Sequence, residues 1–169
     1  RLPSPIIDKM KNEYQDLLNT AAAEKQALKK SIQNLKSKKP KDLDDRIHAL
    51  HDEAFKKIDC LQCANCCKTT SPIFRDVDIK RISKGLRMKE KDLITNYLRM
   101  DDEGDYVLQK SPCAFLGADN YCSIYEIRPL ACREYPHTDR KHMHQILDLT
   151  LKNTEICPAV AAIVVKLVK

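Results

Sequence analysis

The sequence predicts a mostly α protein with a small β-hairpin: an N-terminal antiparallel helical hairpin followed by a compact cysteine-rich domain. Residues 1–59 contain no cysteine, while all eight fall between Cys60 and Cys157. That change of usage sets the boundary, with 1–58 as a helical arm and 59–169 as the cysteine domain. Apolar residues recur at helical spacing in the first part. In the second, short helical stretches alternate with polar turn clusters set around β-favouring runs.

Taken in order, Ser4 between Pro3 and Pro5 is a plausible N-cap with proline in the first turn. A long helix is expected to follow. Ile7, Tyr14, Ala21, Leu28 and Leu35 recur every seven residues, with Met10 and Leu17 filling the seam before Glu24 and Ser31 weaken it. Pro40 ends this helix, because the residue before a proline is pushed out of the helical region. Asp42 and Asp45 favour a new N-terminus, where carboxylates meet unpaired amides. Leu43, Ile47, Leu50, Ala54 and Ile58 make the second stripe.

Beyond the boundary, "SPIFRDVDIKRISKGLRM" predicts an extended lead-in and a helix from about Asp76 to Gly85, where glycine readily supplies a left-handed C-terminal residue. "KEKDLITNYL" predicts another helix. Turn clusters at Asp101–Asp105 and Gly117–Asn120 flank the small hairpin. "HMHQILDLTLKN" and "PAVAAIVVKLVK" read as closing helices, the last buried on one face.

With 169 residues the chain fits one domain, or a domain with an appendage, and can bury a real core. Its 43% apolar and 32% charged residues describe a globular chain with a charged surface rather than a disordered one. The net charge of +6 is spread over interleaved signs, the pattern of solvated helix faces. Nucleic acid or ribosome association therefore has only the short "KSKKPK" run, Lys36 to Lys41, behind it. No tryptophan is present, and a base-stacking surface is not expected. "AVAAIVV" is too short to cross a bilayer, so no membrane span is expected. The chain begins at Arg1, which is silent on export.

"CLQCANCC" places Cys60, Cys63, Cys66 and Cys67 within one short stretch. Adjacent Cys66 and Cys67 cannot bond to each other without a strained ring, and C-x-x-C spacing is that of metal ligands. A disulfide framework does not fit a chain long enough to fold without staples. Buried thiols acting as small hydrophobes explain one or two cysteines but not C-x-x-C-x-x-C-C. Thiolates are soft donors that suit zinc or iron-sulfur centres, and an ion would be part of the fold. Cys113, Cys122, Cys132 and Cys157 complete eight donors, enough for two four-sulfur sites or for one site plus spares. In extended backbone Cys66 and Cys67 would point opposite ways, and so either serve two neighbouring sites, the favoured reading, or leave one of them spare. Zinc is favoured; Cys157 followed by Pro158 also matches the 4Fe-4S ferredoxin spacing, which keeps iron-sulfur open. Of the histidines, His48 and His51, and His137, His142 and His144, are expected to be exposed or satisfied by hydrogen bonds.

"CLQCANCC", then "SPCAFLGADNYCSIYEIRPLACREYP" and the "CP" at Cys157, resemble the YkgJ-type CxxCxxCC family, described as chelators of zinc or iron. The resemblance covers about residues 58–158. Its motifs are the double cysteine, an aspartate-started helix after it, and a block holding Cys122, Arg128, Pro129, Cys132, Arg133 and Pro136. It implies chelation by Cys60, Cys63, Cys66, Cys67, Cys113, Cys122, Cys132 and Cys157. Flagellin lysine methylases share the cysteine cluster, where it accompanies an iron-sulfur centre. An iron-sulfur enzyme of methyl transfer or redox type is therefore the alternative to a structural metal. Ala64 stands where a glycine is common, which tightens the turn without removing a ligand. Pro129 can open a short helix carrying Cys132; Arg128 and Arg133 either offset thiolate charge or pair with Glu126 and Glu134.

The expected protein is thus a cytoplasmic metal-binding module, zinc or a 4Fe-4S cluster, whose helical arm docks a protein partner or complex. No glycine-rich cofactor loop is present, which weighs against an enzyme.

Overall fold

The computed structural model describes the backbone from Ser4 to Lys169 and side chains from Lys9 onward. Pro3, and the side chains of Ser4, Pro5 and the seam residue Ile7 with the cap expected at Ser4, lie outside what is described. In chain order the helices are α1 (Ser4–Ala23), α2 (Lys25–Lys38), α3 (Leu43–Phe55), α4 (Cys60–Cys63), α5 (Asn65–Thr69), α6 (Asp76–Gly85) and α7 (Glu90–Tyr97). Strands β1 (Leu98–Met100) and β2 (Tyr106–Leu108) follow, then α8 (Leu130–Glu134), α9 (Leu147–Asn153) and α10 (Pro158–Leu167), with 3-10 turns at Tyr125–Ile127 and Met143–Gln145. The protein is mostly α with a small β-hairpin. No described helix is long and apolar enough to cross a membrane.

The chain forms two compact units, one of Arg1–Cys63 with Pro136–Lys169 and the other of Ala64–Tyr135. In the first, α10 lies against both α1 and α3, α2 packs on α9, and α9 also meets α10. The sequence of α10, PAVAAIVVKL, is apolar all round, and a helix of that kind belongs in a core. Ala159, Val160, Ala161, Ile163, Val164, Val165 and Leu167 are all buried, so α10 is covered on more than the one face expected. Its β-branched residues are poor helix formers; burial between two helices overrides that preference. Of the stripes read from the sequence, Tyr14, Ala21 and Leu28 on α1 and α2, and Leu43, Ile47 and Ala54 on α3 with Ile58 just beyond it, are buried; Met10, Leu17, Leu35 and Leu50 are half-buried, and Ile32, outside the stripe, is fully buried.

The single long helix expected before Pro40 is interrupted at Glu24, which has φ −94° and ψ 8°. Just upstream the Thr20 hydroxyl donates to the Asp16 carbonyl at 2.9 Å, a contact that bends helices. Lys39 ends α2 in the left-handed region, φ 44°, and its N–H closes on the Leu35 carbonyl at 2.9 Å. Asp42 makes no side-chain cap on α3. Asp44 instead accepts the His142 and Met143 amides at 2.7 and 2.8 Å, tying that loop to α3.

The second unit has its own core of Phe74, Ile79, Ile82, Leu93, Leu98, Leu108, Phe115 and Ile124. β1 and β2 pair antiparallel, Leu98 opposite Leu108 and Met100 opposite Tyr106, and Phe74 bridges to Tyr106. Both turn clusters read from the sequence are turns. Asp101 Oδ1 accepts the Glu103 and Asp105 amides at 3.0 and 2.9 Å. The Gly117 N–H donates to the Tyr121 carbonyl at 2.8 Å, which brings Leu116 opposite Cys122. Gly85 does not have the left-handed role expected of it; Arg87 takes the positive φ, 54°. A side chain at Gly85 would run into Ile127, so close approach of α6 to the 125–127 turn explains this glycine.

Candidate metal centre

All eight cysteines are thiols, with no disulfide among them. The two units divide them: Cys60, Cys63 and Cys157 belong to the first, and Cys66, Cys67, Cys113, Cys122 and Cys132 to the second.

In the second unit four separate segments deliver the sulfurs. Cys67 sits on α5, whose start is set by Ala64 in the left-handed region at φ 48°. Cys66 and Cys67 are therefore helical neighbours, not residues of an extended strand, and the argument that they must point opposite ways does not hold. The Cys66 and Cys67 side chains are close enough to interact with each other. Segment 111–113 is laid on α5, with the Cys113 N–H donating to the Cys67 carbonyl at 2.8 Å and the Ser111 hydroxyl to the Lys68 carbonyl at 2.8 Å. Cys122 returns beside it through the Gly117 turn, and Cys113 and Cys122 both pack on the unit's core. Cys132 rides on α8, which Pro129 precedes as N-cap.

These thiols share one electrostatic environment. The interaction with Cys66, then burial, raises Cys67. Burial is the main cause that raises Cys113 and Cys122 and pushes Cys132 up to about 12, and the charge of Cys67 raises all three further. A thiolate at one position disfavours the others, the condition that a bound cation relieves. Arg128 acts in the opposite sense on Cys122 and Cys132. Its guanidinium lies 3.8 Å from the centre of the Tyr125 ring. Arg133 bonds the Glu126 backbone carbonyl at 3.0 Å.

In the first unit, Cys60 and Cys63 occupy the one-turn helix α4, three apart and so on one face. Asp59 caps it: Oδ1 accepts the Leu61 N–H at 2.9 Å, and its carbonyl accepts the Cys63 N–H at 2.9 Å. The Asp59 N–H in turn donates to the Tyr14 hydroxyl at 3.1 Å. Burial raises Tyr14, and the charges of Cys63, Asp59 and Cys60 add to it. Cys157 is the N-cap of α10 with Pro158 next. Burial pushes it up to about 12, against the Val160 and Ala159 amides that favour its thiolate, with Cys60 and Cys63 raising it further.

The histidines behave as satisfied side chains where their bonds are shown. His48 Nε2–H donates to the Arg140 carbonyl at 2.8 Å, and His51 Nδ1 shares a hydrogen bond with the Thr138 hydroxyl at 2.8 Å. Among the described residues, no three Cys, His, Asp or Glu side chains already enclose a point as metal ligands do.

Sequence reasoning passed over two groups. Tyr14 was read only as a seam residue, and a tyrosine on an apolar stripe carries no signal of what its hydroxyl meets. Asp78 and Arg81 were read only as part of a helix. Asp78 is fully buried, and its position beside Ile79 and Ile82 on the apolar face of "DVDIKRI" was the available signal, since a buried carboxylate needs partners. It has them: Arg81 Nη2 at 2.6 Å and the Arg75 and Leu130 amides at 3.1 Å each. Burial works against its ionisation, and these three donors more than offset that, holding the carboxyl below its usual range.

No curated protein and no solved structure matches the chain at significance. The CxxCxxCC family model, described as "Putative zinc- or iron-chelating domain", matches residues 59–158, more than half of the 169. On that match, and on the cysteine pattern it spans, the chain belongs to the CxxCxxCC family.

Proposed function

We propose that this protein holds thiolate-bound zinc as part of its fold, with Cys67, Cys113, Cys122 and Cys132 as one donor set and Cys60, Cys63 and Cys157 in a second. The observation that carries the reading is the first set: four thiols from four chain segments, each raised by burial or by its neighbours, around one small core. The donors fit a soft divalent ion, since sulfur prefers such ions and cation charge cancels the repulsion among thiolates. The ion supplies bonds that close the loops between α5, the 111–122 turn and α8. No preformed cage is needed, because binding energy and folding energy are shared in sites of this kind. Cys66, beside Cys67 on α5, is left outside both sets. The same donors accept iron, and eight thiols without a disulfide favour a reducing compartment such as the cytoplasm.

A docking role for residues 1–58 has less behind it, since α1 and α3 pack on α10 and α2 on α9. That leaves their charged faces, rather than the apolar stripes, to offer a partner.

Elemental analysis of anaerobically purified protein tests the proposal. Colourless protein with stoichiometric zinc is expected. Ser variants at Cys67, Cys113, Cys122 and Cys132 each lose the same share of metal, while variants at Cys60, Cys63 and Cys157 lose a different one. Brown protein with broad visible absorbance would replace zinc by an iron-sulfur centre, and metal-free protein would remove the reading altogether.

A further inference from the structure

The ion pair of buried Asp78 with part-exposed Arg81 in α6 lies more than fifty residues before Cys132, yet it is bonded to the backbone that carries Cys132. Asp78 Oδ1 accepts the Leu130 N–H at 3.1 Å. Leu130 is the first residue of α8 and lies two before Cys132. That amide has no partner within its own helix, because the first N–H groups of a helix have none. Arg81, held by the same carboxylate, reaches the same segment from the other side: Nη2 donates to the Arg128 carbonyl at 2.8 Å and Nε to the Ile127 carbonyl at 3.3 Å. Asp78 Oδ2 accepts the Arg75 N–H at 3.1 Å, which fixes the carboxylate to the start of α6. The backbone from Ile127 to Leu130, which joins the 125–127 turn to α8, is thus held at three points by one ion pair.

A buried ion pair rarely adds net stability over apolar residues of the same volume. Here its geometry has a separate consequence. It fixes the point from which α8 starts, and so the position of Cys132 on its first turn, as well as the backbone of Arg128, whose charge favours the Cys122 and Cys132 thiolates. α8 is a five-residue helix, too short to hold its own place by internal bonds.

We propose that Asp78, acting with Arg81, is a positioning residue for the metal-binding thiols: it sets where Cys132 stands before an ion arrives. The inference rests on the metal-binding reading above for its purpose, while its structural content can be read in metal-free protein. Outer groups that orient ligands typically change affinity by about 10–100-fold when removed.

The test compares the full chain with Asp78→Asn, Arg81→Lys and Leu93→Ala. Leu93→Ala removes packing from the same core without touching the clamp. Two readouts are taken: alkylation of individual cysteines in reduced, metal-free protein by peptide mass spectrometry, and zinc affinity by chelator competition. Asp78→Asn is expected to speed alkylation of Cys132 relative to Cys113 and to weaken zinc by about 10-fold or more. Arg81→Lys, which keeps the charge but loses the fork, moves Cys132 in the same direction and stands in should Asp78→Asn fail to fold. Leu93→Ala is expected to leave the Cys132 to Cys113 ratio unchanged. Unchanged Cys132 reactivity in the folded clamp variants, or an equal change in Leu93→Ala, overturns the proposal. Wild-type protein that binds neither zinc nor iron defeats the metal reading instead, and the alkylation ratio still decides whether the clamp positions Cys132.

Discussion

Ala64 shows how an alanine can hold a left-handed turn that favours glycine. It holds φ 48° and ψ 16° and is 3% exposed. A left-handed alanine costs roughly 1–2 kcal/mol. Glycine would relieve that but loses about 0.5–1 kcal/mol of chain entropy on folding and about 0.8 kcal/mol from the missing buried methyl. The terms nearly cancel, so Ala64→Gly is expected to change stability by less than about 1 kcal/mol. Ala64→Val, with a branched side chain at positive φ, is expected to cost about 2 kcal/mol or more. Urea denaturation of the two variants checks both; equal behaviour would mean that the α5 start is not held left-handed. The eight cysteines and this turn were legible in the sequence because spacing and glycine preference are local signals. Tyr14 and Asp78 were not, because what their oxygens meet depends on the Asp59 and Leu130 amides, far away along the chain.

Helices were legible where apolar spacing and burial coincide. α3, α6, α7 and α10 occupy the segments read for them, since apolar surface had to be covered in each case, in α10 on more than one face. The break at Glu24 was not read, although the seam weakens there: a helix bends where a side chain competes for a carbonyl, and Thr20 does so at 2.9 Å. Vicinal Cys66 and Cys67 were misjudged for a related reason. An extended backbone was assumed for a stretch that the left-handed Ala64 turns into α5. Gly85 was located correctly at the end of α6 but for the wrong cause. Its neighbour across the element contact is Ile127, not a helix-terminating turn. Alanine there gains up to about 1 kcal/mol of helix propensity, whereas overpacking a filled contact costs about 1–3 kcal/mol. Gly85→Ala is therefore expected to lower stability by about 1–2 kcal/mol in thermal or urea melts, and a stabilised variant would show that α6 does not press on the 125–127 turn.

At the scale of the molecule, the family match begins at residue 59, beside the change in cysteine usage. The compact units are drawn otherwise, because α9 and α10 carry the apolar surface that α1 to α3 must cover. Periodicity reports that a face is apolar; it does not name the element that will cover it. The same limit applies to the thiols. Spacing marks them as candidate ligands, but which of them share an environment depends on the fold, which puts Cys132 in one compact unit and Cys157 in the other. In the Ala64–Tyr135 unit, four thiols are gathered from short elements joined by turns, and their ion is expected to hold those segments together. Hydrogen exchange of residues 64–135, with and without a zinc chelator under reducing conditions, tests this most directly. Chelation is expected to release metal and collapse amide protection around α5, the 111–122 turn and α8, with protection restored by added zinc. Unchanged protection in all three segments, with no zinc or iron released, would contradict a fold organised by sulfur-bound metal.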